Sequence, residues 1–244
     1  MPITKEFLDN IRNSILTENK NSQRLELPPV PEVWQDDNNP NADLSEEKLL
    51  EQFQLNLKGL SGESFLCDNF DNLILQTAKT IRENKSAEAK IMVSSNPIAR
   101  QVADQLQSAV DGLVGANGEK LSLTFCFDSV GGELDLLELS SCDFGLVSAE
   151  FLLADTGSGV FHAASRFERL AIYLPPISIV IAGREKLTKN LPTAWQKLGN
   201  EIKNQKTGEL VIVTGPSRTA DIEKILILGV HGPRRVLFMV YPNT

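Results

Sequence analysis

The chain has 244 residues, of which 41% are hydrophobic and 23% charged, and its formal net charge at pH 7 is -8. This length and composition are typical of a globular protein with one sizeable core. The negative charge argues against a general nucleic-acid binder, because phosphate contacts need clustered Lys and Arg. Residues 1–16 lack a signal-peptide pattern, and the most apolar segment, 170–182, is too short to span a membrane. We therefore expect a cytoplasmic protein without a membrane span.

The N-terminal part has a composition of its own. Apolar residues recur at helical spacing at Phe7, Leu8, Ile11 and Ile15, and residues 18–43 are polar and proline-bearing. Residues 1–44 are therefore predicted to form a helix and an extended arm, and residues 45–244 the main domain. The apolar residues of the arm, Val30, Val33 and Trp34, have two interpretations. They pack back on the domain or dock on another subunit of a homo-oligomer.

Helices and strands alternate along the rest of the chain. Capping and apolar periodicity predict helices at 44–57, where Asp43 and Glu46 have a capping-box pattern, and at 70–82, 97–110, 133–139, 191–202 and 220–228. Short apolar runs predict strands at 64–67, 90–94, 121–127, 142–147, 177–181, 209–213 and 236–241. This alternation predicts an α/β fold with a mostly parallel sheet and helices on both faces.

The C-terminal unit has the most distinctive sequence. The strand 209–213 is followed by a Gly-Pro turn, and Thr219 is placed to cap the helix 220–228, with Asp221 and Glu223 in its first turn. Gly229 suits the left-handed residue that ends such a helix. The unit is therefore predicted to be strand, helix and strand.

No common cofactor motif occurs in the sequence. It contains no GxxxxGK[ST], GxGxxG, HExxH or GxSxG pattern. Its three cysteines, Cys67, Cys126 and Cys142, are too widely spaced for a disulfide framework or a zinc or iron–sulfur site, so reduced, buried thiols are expected. We predict that this chain holds no metal and no cofactor of its own.

Four stretches together resemble the LutC-like family (LUD domain, lactate utilization protein C). The longest runs from Thr214 to Glu223 and continues through residues 229–233; the others are 142–147, 154–158 and 174–181. The sequence departs from the family pattern at two positions. Asp155 stands where the family usually has Glu, and Ser158 where it has Thr.

The resemblance implies a fold and a function. The fold is the NagB/RpiA/CoA-transferase-like form of the parallel sheet. The function is that of an accessory subunit in a cytoplasmic system that oxidises L-lactate to pyruvate. Iron–sulfur clusters are expected only in the partner subunits, and the family resemblance leaves this chain a non-redox role.

Polar turns that follow parallel strands emerge at one edge of the sheet. We therefore expect Ser95 and Asn96, residues 155–158 and residues 214–218 to form one cleft that binds a small carboxylate or another anion, such as a 2-hydroxy or 2-keto acid. The predicted ligand residues are Asn96, Thr156, Gly157, Ser158, Thr214, Gly215, Pro216, Ser217, Arg218, Thr219, Asp221 and Glu223. The alternative is that they serve as turn and cap residues, and that Arg218 pairs with Asp155, Asp221 or Glu223.

Two residues are candidates for catalysis. The resemblance implies nucleophilic or base chemistry for Asp155, and His231 has an unperturbed pKa near neutrality. The alternative for His231 is a structural role in its turn, and His162 has no visible acid and nucleophile partners. If Asp155 is catalytic, the chain is an autonomous small-molecule transferase or ligase. A ligand-binding regulatory protein is a further alternative.

Overall fold

The structure is a computed structural model that describes residues 44–113, 120–128, 134–202, 208–220, 226–229 and 231–242. The predicted N-terminal helix and proline-rich arm therefore lie outside the described residues. So do Asp221 and Glu223.

The described helices begin at side-chain caps. They are α1 (Glu46–Gly59), α2 (Phe70–Asn84), α3 (Pro97–Asp111), α4 (Leu136–Ser140), α5 (Arg166–Tyr173) and α6 (Leu191–Ile202). A side-chain oxygen accepts from an N–H of the first turn of α1 to α5, at Ser45, Asn69, Asn96, Asp135 and Ser165. Such caps satisfy N–H groups that have no partner within the helix. A 3₁₀ turn covers Arg184–Lys186.

The described strands form three sheets. In chain order they are β1 (Glu63–Leu66), β2 (Glu88–Val93), β3 (Ser122–Phe127), β4 (Phe144–Ser148), β5 (Phe151–Leu153), β6 (Ser158–Ala163), β7 (Ile177–Gly183), β8 (Leu187–Thr188), β9 (Glu209–Val213), β10 (Arg218–Ala220), β11 (Leu226–Leu228) and β12 (Arg235–Tyr241). The main sheet has the order β1-β12-β7-β4-β2-β3, and every neighbouring pair in it is parallel.

Both faces of the main sheet are buried. Successive side chains of a strand point to opposite faces, so Leu237 and Phe238 of β12 enter different cores. One core lies against α2 and α3, and the other against α1, α5 and the second sheet. The prediction of an α/β fold with a parallel sheet between layers of helices is confirmed.

A second sheet was not predicted. It has the order β8-β5-β6-β9, and β9 pairs antiparallel with β6. The prediction that β9 forms one α/β unit with the last strand of the chain is therefore wrong, and Ile212 within β9 is 44% exposed. A short β-branched run predicts a strand but does not specify which strand it pairs with.

The predicted helix 220–228 is also wrong. β10 and β11 pair antiparallel, with Arg218 opposite Leu228. Gly229 has the predicted positive φ, +76°, but it follows a strand rather than a helix. The three consecutive apolar residues 226–228 suit a strand as well as a helix, so periodicity could not decide between them.

Candidate functional site

The predicted polar turns lie at opposite edges of the main sheet. Ser95 and Asn96 follow the C-terminal end of β2. By contrast, Ser217 N donates to Pro233 O over 2.8 Å, just before β12 begins. Because β2 and β12 are parallel within one sheet, these positions mark its two edges. The prediction of a single cleft is wrong, since the strand that leads into the 214–218 turn belongs to the second sheet.

The turns at 155–158 and 214–218 do meet, and we call them together the Arg218 corner. Ser158 Oγ lies 2.8 Å from Thr214 Oγ1 and donates to Thr156 Oγ1 over 2.8 Å. Asn56 Nδ2 of α1 donates to the carbonyls of Ala154 and Asp155 over 2.8 and 2.9 Å. These hydrogen bonds connect the Arg218 corner to the C-terminal half of α1.

Glycines allow this close approach. Gly157 has φ +65°, and a Cβ there would lie 2.3 Å from Leu57 N. Gly215 has φ +74°, and a Cβ there would lie 3.0 Å from Leu60 O. Both are left-handed conformations that favour glycine. Backbone conformation and close packing therefore explain why glycine occupies these two positions, which were predicted to bind a ligand.

The surface of the Arg218 corner is polar and open. Thr156, Thr214 and Arg218 are exposed, whereas Ser158, Gly215 and Pro216 are buried. Arg218 Nη2 lies 3.5 Å from Ser61 Oγ. The corner therefore presents hydroxyls and a guanidinium to solvent, a combination suited to an anion or a partner surface.

The two catalytic candidates are not brought together. Asp155 is exposed, yet desolvation raises the pKa of its carboxyl, and hydrogen bonds to Thr156 oppose that effect. His231 lies in an open depression with Tyr173, Pro176 and Arg234, beside the N-terminal ends of β7 and β12. Within the described part of the chain, no hydrogen bond or ion pair joins Asp155 to His231.

A cavity of about 110 Å³ lies at the C-terminal ends of β2 and β4, and we call it the Ser94 cavity. It is lined by Ser94, Ser95, Asn96, Val147, Ser148, Glu150, Phe161, His162, Ala164, Glu168 and Ile172. The loop between β2 and α3, the end of β4, and parts of β6 and α5 contribute to its lining. Ligands of open α/β sheets sit at this edge. Of the predicted ligand residues, Asn96 is the one that lines it.

Two buried polar side chains face this cavity. Ser94 is 3% exposed, and its Oγ has no hydrogen-bond partner among the described residues. Glu168 is 7% exposed, and one of its oxygens accepts from Ser95 N over 2.5 Å. A buried hydroxyl without a partner costs free energy, so it calls for an explanation such as a bound molecule.

The Glu168 side chain forms its hydrogen bond outside its own helix, α5. Ser165 caps α5 by accepting from Glu168 N over 3.1 Å, which is half of a capping box. In that motif the glutamate returns to the N–H of the cap residue. Here its carboxylate crosses to Ser95 of the β2–α3 loop instead. Glu168 was not among the predicted site residues, although the S-x-x-E spacing from Ser165 is visible in the sequence.

The remaining polar groups set the charge of the cavity. Asn96 Oδ1 accepts from Ile98 N over 3.0 Å and so caps the 15-residue helix α3. Glu150 lies 3.9 Å from Lys186 Nζ. In the described residues no group of three or more metal-ligating side chains occurs. The cavity therefore offers hydroxyl and amide groups at a helix N-terminus, with carboxylates on another wall.

The structure is thus an α/β domain with a parallel sheet between helices and a small polar cavity at the carboxyl ends of its strands. Residues 50–241 match the family model described as LUD domain, and the chain belongs to that family. The resemblance found in the sequence is thereby confirmed. Among the described residues, no helix is both long enough and apolar enough to cross a membrane.

Relatives agree with this assignment. The chain is 25% identical over 184 residues to protein YkgG of Escherichia coli, covering 71% of this chain and 78% of YkgG. It is 29% identical to lactate utilization protein C of Macrococcus caseolyticus, covering 48% of this chain and 51% of that protein. It is 28% identical to lactate utilization protein C of Oceanobacillus iheyensis, covering 63% of this chain and 64% of that protein. The matches to the proteins C thus span about half to two thirds of their length.

The fold has a solved counterpart. A DUF162 family protein from Deinococcus radiodurans superposes with a TM-score of 0.53 at 14% identity, covering 82% of this chain and 99% of that one. At this identity the likeness concerns the fold alone.

Proposed function

We propose that this chain is a LutC-like accessory subunit of a cytoplasmic lactate-oxidising system. In this role it supports the oxidation of L-lactate to pyruvate, while iron–sulfur clusters of partner subunits accept the electrons. The observation that carries the proposal is the LUD domain match over residues 50–241, together with the relatives named lactate utilization protein C.

The proposed ligand is a small carboxylate held in the Ser94 cavity, at the C-terminal edge of the main sheet. The cavity measures about 110 Å³, somewhat less than the roughly 150 Å³ that holds benzene, which limits the ligand to a small acid. The Ser94 hydroxyl and the N-terminus of α3 favour a negative group there.

The Arg218 corner has a separate part in the proposal. Its exposed hydroxyls and guanidinium lie at the opposite edge from the cavity, so they are free to meet a partner subunit or a second anion. The ligand roles predicted for Thr156, Ser158, Thr214, Ser217 and Arg218 stay predictions at this corner.

The proposal is tested in the native organism. The tagged chain is purified under reducing, anaerobic conditions, and the eluate is analysed for iron and acid-labile sulfide. In parallel, the gene is deleted and growth is measured on lactate and on glucose. We expect co-purifying iron–sulfur chains and a growth defect on lactate alone. Recovery of no such chain, with normal growth on lactate, would contradict the proposal.

Turnover by the isolated chain separates this proposal from its alternatives. An accessory subunit is expected to release no product from organic acids or acyl-CoA on its own. Turnover that disappears in Asp155→Asn would instead identify an autonomous transferase or ligase. Ligand-induced thermal stabilisation, with neither turnover nor partners, would identify a regulatory binding protein.

A further inference from the structure

We propose that the Ser94 cavity recognises a hydroxyl group of its ligand through Glu168, and therefore binds a small 2-hydroxy acid in preference to the 2-keto acid formed by its oxidation. The inference rests on the proposed function in one respect, namely that the ligand is a small acid.

The lining of the cavity carries two carboxylates. The described residues around it include Glu150, Glu168 and His162 but no Lys or Arg. An ionised carboxylate only accepts hydrogen bonds, so a ligand that meets this wall has to donate one. A hydroxyl does so, whereas a keto oxygen would turn its lone pairs towards the lone pairs of the carboxylate.

The Glu168 carboxylate is held in place by a hydrogen bond. One of its oxygens is held by Ser95 N, and the residue is 7% exposed. The hydrogen bond fixes the carboxylate against the wall, so it does not turn away to solvent. Because each carboxylate oxygen has two acceptor sites, acceptor capacity remains for a ligand.

The acid group of the ligand meets the Ser94 side of the cavity. Ser94 Oγ is buried without a partner, and it lies where β2 passes into α3. A ligand carboxylate there accepts from the hydroxyl and benefits from the helix dipole. Ser95 N–H offsets the charge of Glu168, and Lys186 that of Glu150, which reduces repulsion with an anionic ligand. A 2-hydroxy acid thus satisfies both ends of the cavity.

The test compares four molecules of similar size by NMR titration of the full chain: L-lactate, pyruvate, propionate and lactamide. Hydrogen bonds to charged groups imply that L-lactate binds about tenfold or more tightly than pyruvate and propionate. Equal binding of the three acids would overturn hydroxyl recognition and leave the proposed carboxylate ligand standing. Binding of lactamide but of no acid would overturn the proposed carboxylate ligand and leave hydroxyl recognition standing. Binding of none of the four would overturn both.

Variants assign the effect to the cavity. Glu168→Gln keeps an oxygen for Ser95 N and replaces the other oxygen by a donor, so the preference for lactate over pyruvate is expected to fall about tenfold or invert. Glu138→Gln, an exposed position on α4, is the matched control and should leave it unchanged. An unchanged preference in a folded Glu168→Gln protein would overturn the proposal. If Glu168→Gln does not fold, the preference of the unmodified chain for L-lactate over pyruvate tests the proposal instead.

Ser94→Ala supplies an independent check. It removes a buried hydroxyl that has no protein partner, so the free energy of unfolding should not decrease. Affinity for lactate and pyruvate should fall together, because both carry the carboxylate. A loss of stability without any loss of affinity would give Ser94 a structural role and contradict its place in the site.

Discussion

At Gly157 the backbone conformation and the packing both favour glycine. Its φ is +65°, and a Cβ would lie 2.3 Å from Leu57 N of α1. Gly157→Ala is expected to cost about 1–3 kcal/mol of unfolding free energy or more, because strain and overlap both oppose the methyl group. The measurement is urea unfolding. Gly59→Ala is the control, since its Cβ would meet nothing within 4 Å, and it should not destabilise. Equal losses in both variants would contradict the argument.

The cysteines also act at the scale of single residues. Cys67 and Cys142 are buried, as predicted, but Cys126 is only half-buried, and its Sγ lies 3.7 Å from Cys142 Sγ, a contact that no spacing rule indicated. Burial raises the pKa of Cys142 to about 12 and that of Cys67 to about 11. Only thiolates react readily. At pH 8 in folded protein, the half-buried Cys126 should therefore react with a thiol reagent first, while Cys67 and Cys142 react only after unfolding. Mass mapping of the modified peptides checks this; early modification of Cys142 would contradict it.

At the scale of elements, α1 packs on the main sheet through an aromatic contact, among others. Phe53 is fully buried, and its ring lies edge-on to Phe238 of β12 at 5.3 Å between centroids. Phe53→Ala is expected to cost about 3–5 kcal/mol, measured by urea unfolding. Leu55→Ala on the same helix is the control, since Leu55 is 71% exposed and such changes usually stay within about 0.5 kcal/mol. Similar effects of the two changes would show that α1 is not anchored in this way.

Elements also differ in how well the sequence predicted them. α6 was predicted at its observed bounds, and the ends of α2, α3 and β7 within two residues, because caps and apolar periodicity act locally. β9 and the pair β10–β11 were assigned wrongly. Short apolar runs suit several structures, and the choice among them is made by strands far away in the chain. The second sheet could not be foreseen for the same reason.

At the scale of the whole molecule, buried thiols make stability depend on alkaline pH. In the unfolded chain a thiol ionises near pH 8.5, whereas burial raises the pKa of Cys67 to about 11 and of Cys142 to about 12. Folded protein therefore retains protons that the unfolded chain has lost. The stabilisation is complete below about pH 8.5 and declines as the pH rises towards 11–12.

The urea midpoint should accordingly fall between pH 8 and pH 10.5. The raised pKa of Tyr241, caused by burial, acts in the same direction above about pH 10. In the double variant Cys67→Ala, Cys142→Ala the fall should be shallower. A midpoint that is independent of pH over this interval would contradict the burial of the two thiols.

The sequence by itself determined the α/β class, most helices, the strands of the main sheet and, through four motifs, the family. These properties depend on residues close together in the chain, whose spacing and capping can be read directly. Only the tertiary structure decided where the polar turns lie. It separated Asn96 from the Arg218 corner and directed Glu168 to Ser95. Strand order and sheet membership depend on contacts between distant segments, and a polar side chain acquires its partner only when those segments meet.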